Sequence, residues 1–127
     1  MAGLREPAYR RIGQADTLEA LSRVEADLAS AYGDPPAQTR ALLEAAEIRL
    51  RAATLGIRAI ARTDSDVIFR TTRPRDLELL FAGIQGTVRV VGGPAEDGLT
   101  EVYLRPPTKA FLEPASLVPI LRKRLAV

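Results

Sequence analysis

The apolar positions change rhythm along the chain. Leu18, Leu21, Val24, Leu28 and Tyr32 recur every three or four residues and predict a helix with one buried stripe. Asp16 is placed to cap it, with Glu19 three residues on in an aspartate version of the capping box, and Gly33 supplies the left-handed turn that ends it. Asp34-Pro35-Pro36 then starts a second helix, because a proline pair costs no hydrogen bond in a first turn. Leu42, Leu43, Ala46, Leu50 and Ala53 mark its inner face, Ile48 and Leu55 broaden it, and Gly56 stops it. The two helices form an αα-hairpin. Leu4–Ile12 predicts a short helix ahead of them.

After Gly56 the period shortens. Ile57–Arg62 and Asp66–Arg70 read as two strands joined by a turn at Thr63-Asp64-Ser65. Pro74 opens a helix through Leu77, Leu80, Phe81 and Ile84, closed by Gly83 and Gly86. Thr87–Val91 is a strand, Gly92–Leu99 a loop, and Thr100–Arg105 a strand that turns Val102 and Leu104 to one side. Pro114 opens a last helix through Leu117, Val118, Leu121 and Leu125. The order ααββαββα, with adjacent hairpins, predicts an α+β fold. The expected organisation is a lead-in at residues 1–12 and one compact domain at 13–127.

Composition narrows the chemistry. At 127 residues and 46% hydrophobic, the chain suits one soluble globular domain. There is no cysteine and no histidine, which removes disulfides, thiolate metal sites and the commonest general base. No run is apolar enough to span a bilayer, and the N-terminus lacks the apolar core of a signal peptide, so a cytoplasmic location is expected. The net charge of +2 comes from 18 basic residues interleaved with 16 acidic ones, not from a basic face. The one compact basic run, Arg122-Lys123-Arg124, suits the last turn of a helix, where cations complement the dipole; contact with a phosphate backbone is the alternative.

Other constellations are weak. Val91-Gly92-Gly93-Pro94 follows a strand, but no phosphate-loop lysine and hydroxyl come after it. Asp64-Ser65-Asp66 lacks the third carboxylate of a calcium loop and is ordinary turn chemistry. Glu44/Glu47 and Glu96/Asp97 sit where a helix face or loop would place solvated charge. Arg49, Arg51, Arg58 and Arg62 cluster without aromatic neighbours, which suits ion pairs or a protein-facing patch better than nucleic acid. No catalytic residue, cofactor site or metal site is expected.

Tyr9-Arg10-Arg11-Ile12, a helix ending Tyr32-Gly33 before Pro36, and Leu42-Leu43-x-x-Ala46-x-x-Arg49-Leu50, with Ala52/Ala53 and Leu55-Gly56-Ile57 in register, resemble one family. It is the C-terminal domain (TRCF) of bacterial transcription-repair coupling factor (Mfd). The resemblance is dense over Tyr9–Ile57 and continues to Val127 as the order of elements. It implies a non-catalytic regulatory domain of an ATP-dependent DNA translocase. Such a domain packs on the UvrA-binding domain of its own chain and restrains the motor. UvrA, RNA polymerase and DNA are then partners only through the parent protein, and no membrane or metal is involved. In relatives the first helix ends Glu-x-x-Asp-Arg-[Phe/Tyr]-Gly, and its charges help make that contact. The matching positions are Asp27, Ser30, Ala31, Tyr32 and Gly33, so one carboxylate survives while an acid and a guanidinium are absent. The resemblance therefore implies either a weaker contact or one rebuilt through Tyr32, Gln38 and the outer arginines, with Asp27, Ser30, Ala31, Tyr32 and Gln38 as the expected partner-binding residues. A nucleic-acid-binding accessory domain using Arg122, Lys123 and Arg124 is the alternative.

Overall fold

A computed structural model describes residues 6–126. The fold is α+β: helices α1 (Glu6–Gln14), α2 (Leu18–Tyr32) and α3 (Ala37–Thr54), then strands β1 (Ile57–Arg62) and β2 (Val67–Thr71), helix α4 (Pro74–Leu80), strands β3 (Thr87–Val91) and β4 (Thr100–Arg105), a 3-10 turn at Lys109–Leu112, and helix α5 (Pro114–Leu125). Its contacts divide the chain into two compact units, Met1–Arg51 and Ala52–Val127.

The first unit is helical. Its core joins Ala8, Ile12 and Ala15 to Leu21, Val24 and Leu28 of α2 and to Leu43, Ala46 and Leu50 of α3. The predicted lead-in helix is thus a packed element that runs two residues further than expected, to Gln14; Leu4 and Arg5 lie outside the described residues. Thr17, rather than Asp16, caps α2: its hydroxyl accepts the Ala20 N–H at 3.0 Å. A threonine one residue nearer the helix satisfies the orphan donor directly, and Glu19 pairs with Arg23 instead. At the other end Gly33 has φ 78° and ψ −152°, so its positive φ is as expected but its ψ lies well outside the left-handed helical region. Its N–H donates to the Ala29 carbonyl at 2.9 Å.

The buried side of α3 holds the expected Leu43, Ala46, Ile48 and Leu50 but differs at its margins. Thr39, Leu43, Ala46 and Leu50, spaced four, three and four residues apart, are buried, whereas Leu42 is 41% exposed and Ala53 is exposed. A purely apolar count misses Thr39 because it takes a core position with a polar side chain. Its Oγ1 is buried with no hydrogen-bond partner among the described residues.

The second unit is built on a four-stranded antiparallel sheet of order β1-β2-β4-β3. Each hairpin is legible in the sequence, and β2 zips to β4 to join them. Val67, Phe69 and Thr71 lie opposite Leu104, Val102 and Thr100, and all six are buried on one face. Phe81, at the end of α4, meets Phe69 with ring centroids 5.3 Å apart. Helix α4 stops at Leu80, short of the expected Ile84, as Ala82 and Ile84 turn back in tight bonds to Leu79 and Phe81. The buried Thr71 hydroxyl donates to the Gly56 carbonyl (3.1 Å) and accepts the Arg73 N–H (3.0 Å), fastening the start of β1 to the end of β2. Leu121 and Leu125 of α5 complete the buried set.

Candidate protein-contact site

The residues singled out for partner binding occupy the end of α2 and the beginning of α3. Positions 27, 30, 31, 32 and 38 are all exposed, and Tyr32 keeps 45% of its surface open. The local sequence explains this. Leu21, Val24 and Leu28 carry the stripe inward, Ser30 falls on the opposite side, and Ala31 and Tyr32 continue the helix beyond its last buried residue. Gly33 then redirects the chain within one residue, so the tip of the hairpin stands clear of the core.

Asp27 is already engaged. Its Oδ2 accepts from Arg11 Nη2 at 2.7 Å, in an ion pair whose side chains are about half exposed. Arg11 belongs to α1, sixteen residues away, so no local periodicity signals the pair. Such a solvent-facing pair contributes about 0.2–1 kcal/mol, little enough for a partner's cation to compete for the carboxylate. Leu42, expected in the core from the sequence, instead adds a large exposed apolar side chain to the same unit.

The other candidates have structural partners. Arg49 donates to the Ala15 carbonyl at 3.1 Å, Arg51 pairs with Glu47 at 2.9 Å as their spacing predicts, and Arg62 donates to the Leu112 carbonyl at 2.8 Å. Asp66 of the suspected turn is buried and held by both nitrogens of one fork: Arg105 Nε to Oδ1 at 3.0 Å and Nη2 to Oδ2 at 2.9 Å. That bond, above all, holds its carboxyl below the usual carboxylate range against the opposing effect of burial. Asp97 accepts the Leu99 N–H at 3.0 Å and pairs with Arg70 at 2.7 Å, and the backbone bond leads in lowering its pKa.

The basic run at the end of α5 is not gathered into one patch. Successive helical residues point about 100° apart, so Arg122, Lys123 and Arg124 fan over more than half a turn. Arg124 turns to the end of α4, donating to the Ala82 carbonyl at 2.9 Å and to Leu80 at 3.4 Å. It satisfies carbonyls that a helix end leaves open. Among the described residues no three acidic side chains gather as a metal site would require.

Residues 2–79 match the TRCF domain family. Among solved structures, the chain is similar to the crystal structure of the C-terminal domain of a transcription-repair coupling factor, with 16% identity and a TM-score of 0.62 over 94% of this chain and 77% of that one. At that identity the likeness speaks for the fold. A search of curated proteins finds no match.

Proposed function

Since the chain belongs to the TRCF domain family, we propose that it is the non-catalytic regulatory domain of a transcription-coupled DNA repair translocase. In this reading it is autoinhibitory: the domain packs on the UvrA-binding domain of the same protein and restrains the motor. The observation that carries this reading is the exposed tip of the helical hairpin, where Asp27, Ser30, Ala31, Tyr32 and Gln38 stand open. Tyr32 supplies a large apolar contact with a hydroxyl at its end, the kind of anchor that interfaces favour. Asp27 supplies a carboxylate whose present partner is weakly held.

Autoinhibition of this kind needs only a difference in contact between two states. Keeping the closed form at 99:1 takes about 2.7 kcal/mol of differential contact. If tethering supplies an effective concentration of about 1 mM, the same contact between separate molecules has a Kd of roughly 10 μM. The test follows from that figure. Added in trans at about 100 μM to a coupling factor lacking this domain, the chain lowers UvrA binding and DNA-stimulated ATPase activity, and Tyr32→Ala loses the effect. Unchanged UvrA binding and ATPase at that concentration would sink the reading.

A further inference from the structure

The two edges of the sheet are not alike. Edge strand β1 shifts register between Ile57 and Ala59, and Arg62 at its end reaches across to the Leu112 carbonyl. A bulge and a cationic side chain are the usual ways to blunt an edge. Edge strand β3 has no bulge, and its one charge, Arg89, is drawn over the Tyr103 ring at 5.4 Å. It pairs with β4 in unbroken register from Thr87↔Arg105 to Val91↔Glu101, its residues are exposed or half-buried, and it contains no proline. Among the described residues no backbone hydrogen bond to its outer side is found. Alternate N–H and C=O groups therefore point outward, as an added strand requires.

Beside the start of this strand lies an apolar hollow of about 240 Å³. Val67 and Leu104, a cross-strand pair, line it together with Ile84, Phe111, Leu117 and Ile120. Ile84 and Gln85 lead directly into β3, and Leu104 lies opposite Val88. The volume is below the roughly 300–1,000 Å³ of sites for drug-sized molecules, so it suits one anchoring side chain rather than a cofactor.

We infer that the outer edge of β3 and the adjoining hollow form a docking site for an extended, acidic segment of a partner protein. Its main chain pairs with β3, and an apolar side chain enters the hollow. Charge selects this occupant. Arg89 is the middle residue of the strand and the only charged one, and it lies over the Tyr103 ring at 5.4 Å. A second copy pairing symmetrically about that residue would set Arg89 against its own equivalent, a like-charge pair that destabilises a ladder. A carboxylate in the same place forms a cross-strand ion pair. The pleat fixes the remaining side chains. Val88 and Val90 share a face with Leu104 and Val102, so acidic residues on one face of the added strand alternate with apolar residues on the other. A residue beside Val88 lies two strand spacings, about 10 Å, from Leu104, so the anchoring side chain comes from the end of the added strand beyond Thr87, alongside Ile84 and Gln85 of the hollow. This is strand addition: main-chain bonds supply affinity and the pocket supplies selection.

The test uses the full chain, labelled with ¹⁵N, and a capped hexapeptide alternating glutamate and valine with one phenylalanine in place of a valine. Amide shifts confined to residues 87–91 and the residues lining the hollow are expected. Replacing the glutamates by lysine, or N-methylating alternate peptide bonds of the ligand, weakens binding at least tenfold with the protein unchanged. Leu117→Trp, which fills the hollow, weakens it at least fivefold. Absence of shifts at millimolar peptide, shifts at the tip of α2 instead, or equal binding of the N-methylated peptide would overturn the proposal. So would self-association of the chain through β3.

Discussion

Thr39→Val is the sharpest test of how the helical unit is held together. Thr39 is 1% exposed, and its hydroxyl meets no partner among the described residues. A threonine inside a helix often bonds back to the carbonyl four residues earlier, but no such bond to Pro35 is made. Valine has the same shape and nearly the same helix propensity, so the exchange isolates the hydroxyl. A buried polar group left unsatisfied costs about 1–3 kcal/mol, and removing it recovers part of that. We expect Thr39→Val to stabilise by about 1–2 kcal/mol, which raises Tm by roughly 3–10 °C for a chain of this size. Urea denaturation gives the cleaner readout: the midpoint rises while m is unchanged. Thr39→Ser provides the control, since it keeps the hydroxyl, removes a buried methyl and lowers stability by about 1 kcal/mol. A valine variant less stable than the parent would refute the reasoning, because the hydroxyl would then have a partner worth more than its desolvation.

Two further predictions concern the pH response and the hairpin tip. The folded Asp66 and Asp97 carboxyls are lowered from their ordinary values near 3.9, so below about pH 4 the unfolded chain binds more protons than the folded one. Stability is full above that pH and falls as pH drops toward the folded values; Asp66→Asn removes part of this acid sensitivity at a cost of about 1–3 kcal/mol at pH 7, and an acid titration by circular dichroism that matches the parent would contradict it. Gly33→Ala costs about 1–3 kcal/mol by urea denaturation, because φ 78° with ψ −152° belongs almost exclusively to glycine although no atom stands within 4 Å of an added Cβ; a cost under 0.5 kcal/mol would show that the tip relaxes freely.

The sequence is most informative where local chemistry decides. Strands β3 and β4 begin and end at the expected residues because glycine and proline bound them and period two fills them. Proline likewise fixes the starts of α4 and α5. What escapes a reading of the sequence depends on partners distant in the chain. The pairing of β2 with β4 joins strands about thirty residues apart, and nothing in either strand specifies the neighbour. Asp66 reads as turn chemistry and is instead a buried carboxylate held by Arg105, 39 residues away. Leucine usually lies inside, which is why Leu42 is expected there, but the fold buries Thr39 and leaves Leu42 exposed. At the candidate site, the uncharged Ser30 and Ala31 are visible in the sequence, while the capture of Asp27 by Arg11 is not.

The family match ends at residue 79, within α4, so it covers the helical hairpin and the first strands but not β3, β4 or α5. The two proposed surfaces fall on opposite sides of that limit. The tip of α2 lies in the stretch shared with the family. The open edge of β3 lies in the stretch outside the match. They also belong to different units, Met1–Arg51 and Ala52–Val127, so a substitution at Tyr32 and one at the hollow perturb separate cores. That separation gives the two readings distinct consequences. If Tyr32→Ala releases the restraint on UvrA binding while peptide binding at β3 is unchanged, the chain carries two independent binding surfaces. If filling the hollow with Leu117→Trp also releases the restraint, the acidic strand that β3 accepts comes from the same partner that the hairpin tip touches. The sheet edge and the hairpin tip then act on one partner.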